Sequence, residues 1–273
     1  MGHPSTEKHS ASNPFFGFFG PTKDAKTVSS LQAHLVAMSG EFVGTFMCLF
    51  LAYCGHSMVV DQSPINQAGP NGTNSATTVV YISLSYGFAV LVTIWTMYRI
   101  SGGLFNPAVT LGLIVTGNIP LVRGMLLWPV QILASMVAAG IVSAIIPGSI
   151  KSVQTTLTPT MSVAQGVFLE MKSKDTFIAP IGIGLTLFIC EIAGVFYTGA
   201  SLNPARSFGP CVAGRNFQHY HWIYWIGPLL GALIAAGYYH FVKFFNYEDA
   251  NPGQDSSGGD FSESERGHRD EEQ

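Results

Sequence analysis

Ser101-Gly102-Gly103-Leu104-Phe105-Asn106-Pro107-Ala108 and Thr198-Gly199-Ala200-Ser201-Leu202-Asn203-Pro204-Ala205 are two copies of one pattern, and their reading decides the fold. Each runs hydroxyl-Gly-small into Asn-Pro-Ala, and each follows a hydrophobic stretch. Asn is a favoured helix N-cap, and Pro is preorganised for the first helical position. Asn106-Pro107-Ala108 and Asn203-Pro204-Ala205 therefore each predict the start of a short helix. A single copy would read as an ordinary capped helix. Two copies in matching halves, each beside an apolar run, point to a solute site between inverted repeats.

Composition sets the medium. Of 273 residues 48% are hydrophobic and only 11% charged, with a mean hydropathy of +0.32. Soluble domains carry about a quarter charged residues, so the chain reads as an all-α polytopic membrane protein. The net charge of -3 says little, because the acids crowd into the C-terminal tail. Cys48, Cys54, Cys190 and Cys211 show no metal-ligand spacing, and three of them lie inside apolar runs. Buried thiols are the reading, with no metal and no cofactor. No nucleophile-base set and no phosphate loop occurs, which argues against an enzyme, and nothing suggests nucleic acid as a partner.

In chain order, residues 1–35 form a polar N-terminal tail interrupted by Phe15-Phe16-Gly17-Phe18-Phe19, an interfacial anchor or a plug at a pore mouth. Lys23 and Lys26 before the first span predict a cytoplasmic N-terminus. Full spans are expected at about 36–58, 79–98, 124–146, 177–197 and 222–245, with a channel domain over 36–247. Repeat one is 36–147, repeat two 163–247, and 248–273 is an acidic tail expected to be disordered. The segment after each Asn-Pro-Ala is too short to cross about 30 Å of hydrocarbon and reads as a re-entrant half-helix. Asn71-Gly72-Thr73 is a glycosylation pattern on the outer connection. Ser101 could be a kinase target near Arg99, or a turn serine bonding backbone.

Glu41 and Glu170 are carboxyls inside apolar stretches. Such groups are costly in lipid and face protein partners, so both are expected to accept from the turns and fix the half-helices. Glu41 precedes Asn106 by 65 positions, whereas Glu170 precedes Asn203 by only 33. Repeat two is short by about one helix of roughly 20 residues, stopping at Lys172-Ser173-Lys174-Asp175. The expected count is five full spans and two half-spans, and a missing crossing should upset the parity that inverted repeats require.

The paired boxes, Ser101-Gly102-Gly103, the run from Asn203 to Pro210 and the intramembrane glutamates resemble the aquaporin family. His219-Tyr220-His221-Trp222 onward resembles its fungal water-selective branch. The likeness covers about residues 36–245. It implies a right-handed helical bundle of inverted repeats, a plasma-membrane homotetramer serving osmoregulation, and one pore per subunit for water. It further implies that Asn106 and Asn203 meet at mid-membrane as pore donors, with Pro107, Ala108, Pro204 and Ala205 starting the half-helices. Their amides would orient a central water so that it cannot relay protons, and the half-helix dipoles would repel cations.

Arg206, directly after the second box, would line the selectivity constriction. Tyr86, twenty before Asn106, and Ala200, three before Asn203, would share that ring. Glu191, twelve before Asn203, stands where water-selective members typically have histidine. It would either pair with Arg206 or loop amides, the Arg206 pairing weakening the charge balance of the ring and admitting small uncharged polyols such as glycerol, or act as an acceptor that contacts solute. Ser207 stands where the glycerol-conducting branch usually has aspartate. The shortened repeat two implies poor stability or a non-conducting chain as the competing expectation.

Overall fold

The computed structural model describes residues 30–62, 75–171 and 179–247. Among these the chain forms eight α-helices: α1 Ser30–Gln62, α2 Ala76–Ser101, α3 Pro107–Val115, α4 Leu121–Ile145, α5 Val163–Leu169, α6 Ala179–Thr198, α7 Pro204–Ala213 and α8 Ile223–Phe244. A short 3-10 turn, Ile150–Val153, lies between α4 and α5. Five of the helices, α1, α2, α4, α6 and α8, are long and apolar enough to cross a membrane. All five expected spans are present, most of them longer at one or both ends. The phenylalanine patch at 15–19, the Asn71 pattern and the acidic tail lie outside the described residues.

Both boxes start helices for the local reason given by their residues. Asn106 sits at φ -154° and ψ 120°, its side chain accepts from Ala108 N–H, and Pro107 opens α3. Asn203 sits at φ -148° and ψ 109°, accepts from the Ala205 and Arg206 N–H groups, and Pro204 opens α7. At 9 and 10 residues, with a rise of about 1.5 Å per residue, neither helix spans the hydrocarbon.

α1 packs on α2 and α4, α2 packs on α6, α3 lies against α8, and α7 lies against α4. The two repeats meet where α2 crosses α6. A Cβ on Gly87 would stand 2.9 Å from the Gly184 carbonyl oxygen, and one on Gly184 would stand 2.8 Å from that of Gly87. The pair are 97 positions apart, the same interval as Asn106 and Asn203. The two backbones thus touch at equivalent positions of the two repeats, an approach that small residues permit.

Repeat parity is kept, contrary to the count of missing crossings. Gly87 neighbours Phe188 while Leu91 neighbours Gly184, so α2 and α6 run antiparallel. Helix α6 therefore starts on the face where α2 ends and α1 begins. Helix α5 enters from the opposite face and stops at mid-depth, with the Met171 carbonyl against Gly231, the ninth residue of α8. Among the described residues the opening helix of repeat two covers about half the depth of a span, while the direction of every later element is preserved. Counting whole helices in the sequence could not register half a crossing.

The Gly87–Gly184 contact gives a stability prediction. Gly184→Val should lower the unfolding free energy in detergent by about 1–3 kcal/mol through overpacking. Gly140→Ala, with open space around its Cβ, should leave the melting temperature unchanged or slightly higher. Equal melting of the two variants would show that the crossing is not close-packed.

Candidate functional site

The site is built on two strained turns. Phe105 and Leu202 immediately precede the Asn residues and take φ values of 49° and 53°, with Ala200 at 43°. Non-glycine residues in this left-handed region cost of order 1 kcal/mol or more each. Gly102 at φ 99° and Gly199 at φ 80° occupy positions where glycine carries no such penalty.

Each turn is held by one buried carboxylate. Glu41 accepts from Leu104 N–H at 2.9 Å, Phe105 N–H at 2.8 Å and the Ser101 hydroxyl at 2.9 Å. Glu170 accepts from Ser201 N–H at 3.0 Å, Leu202 N–H at 2.6 Å and the Thr198 hydroxyl at 2.7 Å. Every partner in the second set lies 97 positions after its counterpart in the first. Both glutamates are essentially fully buried, at 0% and 1% exposure. Ser101 is thus a turn serine bonded inward, the alternative to the kinase target. Gln131 on α4 adds a donor to Glu41 at 2.7 Å and a second to the Thr110 hydroxyl at 2.9 Å.

The strained turns aim their carbonyls across the repeat axis. The Asn106 amide donates to the Leu202 carbonyl at 2.9 Å, and the Asn203 amide donates to the Phe105 carbonyl at 2.9 Å. Each Asn carbonyl oxygen is already engaged by N–H groups of its own helix. One amide hydrogen of each Asn is used on the opposite turn, which leaves the second one to donate elsewhere. Asn106 and Asn203 therefore stand side by side at the point where both helix N-termini converge.

Arg206 follows on α7 and is 2% exposed. Its Nη1 donates to the Val153 carbonyl at 2.7 Å, and its guanidinium carbon lies 4.5 Å from the Tyr86 ring centre. Its Nε and Nη2 make no hydrogen bond among the described residues. The Tyr53 hydroxyl donates to the Arg206 carbonyl at 2.7 Å, and the Ser135 hydroxyl donates to that of Ala205. Tyr86 is oriented in turn by His56, whose Nδ1 lies 3.2 Å from the phenol oxygen. Glu191 is 1% exposed, and its Oε2 has no hydrogen-bond partner among the described residues. It lies within Coulombic range of Arg206 and Tyr86, but the free guanidinium nitrogens and the free carboxylate oxygen do not meet. Tyr86, Ala200, Glu191 and Arg206 are all buried.

Several of these supports have no counterpart in the sequence reading. The stretch after α4 reads only as polar, yet it folds inward. Gln154 donates to the Pro210 carbonyl at 3.0 Å, Asn216 donates back to Gln154 at 2.9 Å, and Thr155 donates to Ser207 at 2.8 Å. Tyr53, His56, Gln131 and Ser135 are polar residues inside apolar runs. That is the signal which could have picked them out, since buried polar groups in spans seek specific partners.

The profile described as "Major intrinsic protein" matches residues 25–173 and again 171–239. The chain belongs to the major intrinsic protein family. The break between the two matched stretches falls where α5 stops. "Probable aquaporin-3" of Gibberella zeae is 51% identical, over 93% of this chain and 95% of that protein. Its alignment runs over 273 positions, so about 19 of them have no counterpart in this chain. "Aquaporin-7" of Botryotinia fuckeliana is 48% identical over 82% of this chain and 53% of that protein's length. Among solved structures, the aquaglyceroporin from Plasmodium falciparum has a TM-score of 0.62 at 21% identity, covering 76% of this chain and 95% of that one. That likeness shows the fold, an aquaporin-type helical bundle, with two half-helices and five span-length helices among the described residues.

The carboxylates of this family member give the second prediction. Glu170→Gln would turn an amide N–H toward the donors of Thr198, Ser201 and Leu202. The expected loss is about 2–3 kcal/mol of stability, read as a lowered melting temperature of the detergent-solubilised protein. Melting indistinguishable from the parent would remove Glu170 from its supporting role.

Proposed function

We propose that this chain is a passive transmembrane channel for water, excluding protons and ions. The observation that carries this is the crossed pair Asn106–Leu202 and Asn203–Phe105 at the meeting point of two helix N-termini. Each Asn retains one amide hydrogen for a passing water. A water accepting from both turns its hydrogens outward along the file and cannot hand on a proton. The N-terminal ends of α3 and α7 present positive partial charge at the same point, which opposes cations. Pro107, Ala108, Pro204 and Ala205 start those helices and set the direction of their bare N–H groups. Tyr86, Ala200, Glu191 and Arg206 form the constriction, and Glu41 and Glu170 keep the turns in register.

A second reading, that small uncharged polyols also pass, is favoured by Glu191. Its free Oε2 is an acceptor held apart from the free Arg206 donors, and a hydroxylic solute can bridge the two. A histidine at this position would present an imidazole nitrogen in place of a carboxylate oxygen. The working unit in this reading is a homotetramer in the plasma membrane, with water and small uncharged solutes as permeants and the bilayer as partner. Water and polyols alike would pass by binding and exclusion, with no bond made or broken.

Vesicles containing the purified chain should swell at least several-fold faster than empty ones under an osmotic step, without a matching rise in proton flux. Swelling at the empty-vesicle rate, from protein that is monodisperse and helical, would replace this reading with a non-conducting one. Glu191→His should cut labelled glycerol uptake by about tenfold, the equivalent of one lost charge-assisted hydrogen bond, while water flux persists.

A further inference from the structure

His56 has no part in the half-helices or in the bonds that hold their turns, yet it is buried against the constriction. It lies on α1 three residues beyond Tyr53 and is 2% exposed. Its Nδ1 stands 3.2 Å from the Tyr86 phenol oxygen, and the two rings meet edge-on at 5.8 Å and 77°. Its Nε2 is buried and has no hydrogen-bond partner among the described residues. A buried polar atom in that state is destabilising, and an apolar side chain would fill the same site without it. What the histidine adds is therefore the Nδ1 contact. A phenylalanine at 86 would need no such partner. Tyrosine there and histidine at 56 are a matched pair on neighbouring helices.

The pair fixes the Tyr86 ring, and that ring covers Arg206, with 4.5 Å from its centre to the guanidinium carbon. Tyr53 lies farther off, at 5.9 Å, and edge-on to Tyr86, with its hydroxyl engaged on the Arg206 carbonyl. Because Nη1 donates to Val153, Nε and Nη2 are the donors left free. A guanidinium is planar and its donors point in fixed directions, so the ring stacked on it governs which way that free edge faces. Tyrosine side chains turn between discrete torsional wells. The phenol oxygen is the far end of that lever, and a bond there holds the whole ring.

We propose that His56 is a positioning residue of the constriction, which sets the Tyr86 ring over Arg206 and thereby the solutes that the free guanidinium edge can meet. Its effect on solute selection rests on the channel reading, whereas its hold on Tyr86 rests on the contact between Nδ1 and the phenol.

Two variants in the full chain separate this role from packing. His56→Leu fills the site without a polar atom, and His56→Asn places an amide atom where Nδ1 lies, able to donate or accept. Only monodisperse protein is reconstituted. With the ring released, labelled glycerol uptake relative to osmotic water flux should rise about fivefold in His56→Leu, the equivalent of one lost hydrogen bond. In His56→Asn the same ratio should stay within about twofold of the parent. In the Tyr86→Phe background, His56→Leu should change it by less than about twofold, because the bond it removes is already gone. A ratio unmoved by His56→Leu, or moved as far in the Tyr86→Phe background, would mean that His56 only fills space. Nitrogen-15 NMR of histidine-labelled protein tests the contact without any transport. Tyr86→Phe should shift one imidazole Nδ1 resonance, the one missing from His56→Asn, and leave the other histidines in place. Absence of that shift would overturn the proposal even in a conducting chain. A shift in a chain that swells vesicles no faster than lipid alone would retire the channel reading and uphold the positioning of Tyr86.

Discussion

Backbone hydrogen bonding in a medium without water is the constraint from which this structure follows. Two turns break the helical ladder halfway through the bilayer, and hydrocarbon offers no donor or acceptor to repair them. The repair comes from one buried carboxylate per turn. Glu41 takes the N–H groups of Leu104 and Phe105, and Glu170 takes those of Ser201 and Leu202. Left-handed conformations at Phe105 and Leu202 become tolerable because each residue is fixed at both ends. The N–H is held by a glutamate, and the carbonyl is held by the opposite Asn amide. Removing the carboxylates would leave the chain no reason to hold two helix N-termini against each other.

Much of this was legible in the sequence, for physical reasons. The half-helices were readable because a cap, a proline and the preceding glycine turn are local chemistry written within eight residues. Glu41 and Glu170 stood out because a carboxyl in an apolar run must have a partner, and each lies ahead of one of the two boxes in its own repeat. Tyr86, Ala200, Glu191 and Arg206 came by resemblance and by position relative to the Asn residues.

What escaped reading depends on pairing between distant segments. The Val153 carbonyl that orients Arg206 comes from a polar connection whose composition predicts only a loop. Tyr53 and Ser135 hold the carbonyls of Arg206 and Ala205 from α1 and α4, across 153 and 70 positions of sequence. Nothing local in those helices specifies such partners. The parity of the shortened repeat was misjudged because a count of spans treats each helix as present or absent, whereas α5 contributes depth without crossing. For Glu191 the sequence left pairing and solute contact open. In the structure neither its Oε2 nor the Nε and Nη2 of Arg206 has a hydrogen-bond partner among the described residues, so these atoms are not bonded to one another.

The crossing of α2 and α6 at Gly87 and Gly184 has a mechanical meaning. With main chain against main chain, these two walls cannot draw closer, and parting them would open a void that no side chain is long enough to fill. The seam between the two repeats therefore has a fixed spacing at this point. Any change of shape in this bundle has to leave that seam as it is and be taken up by helices packed through longer side chains.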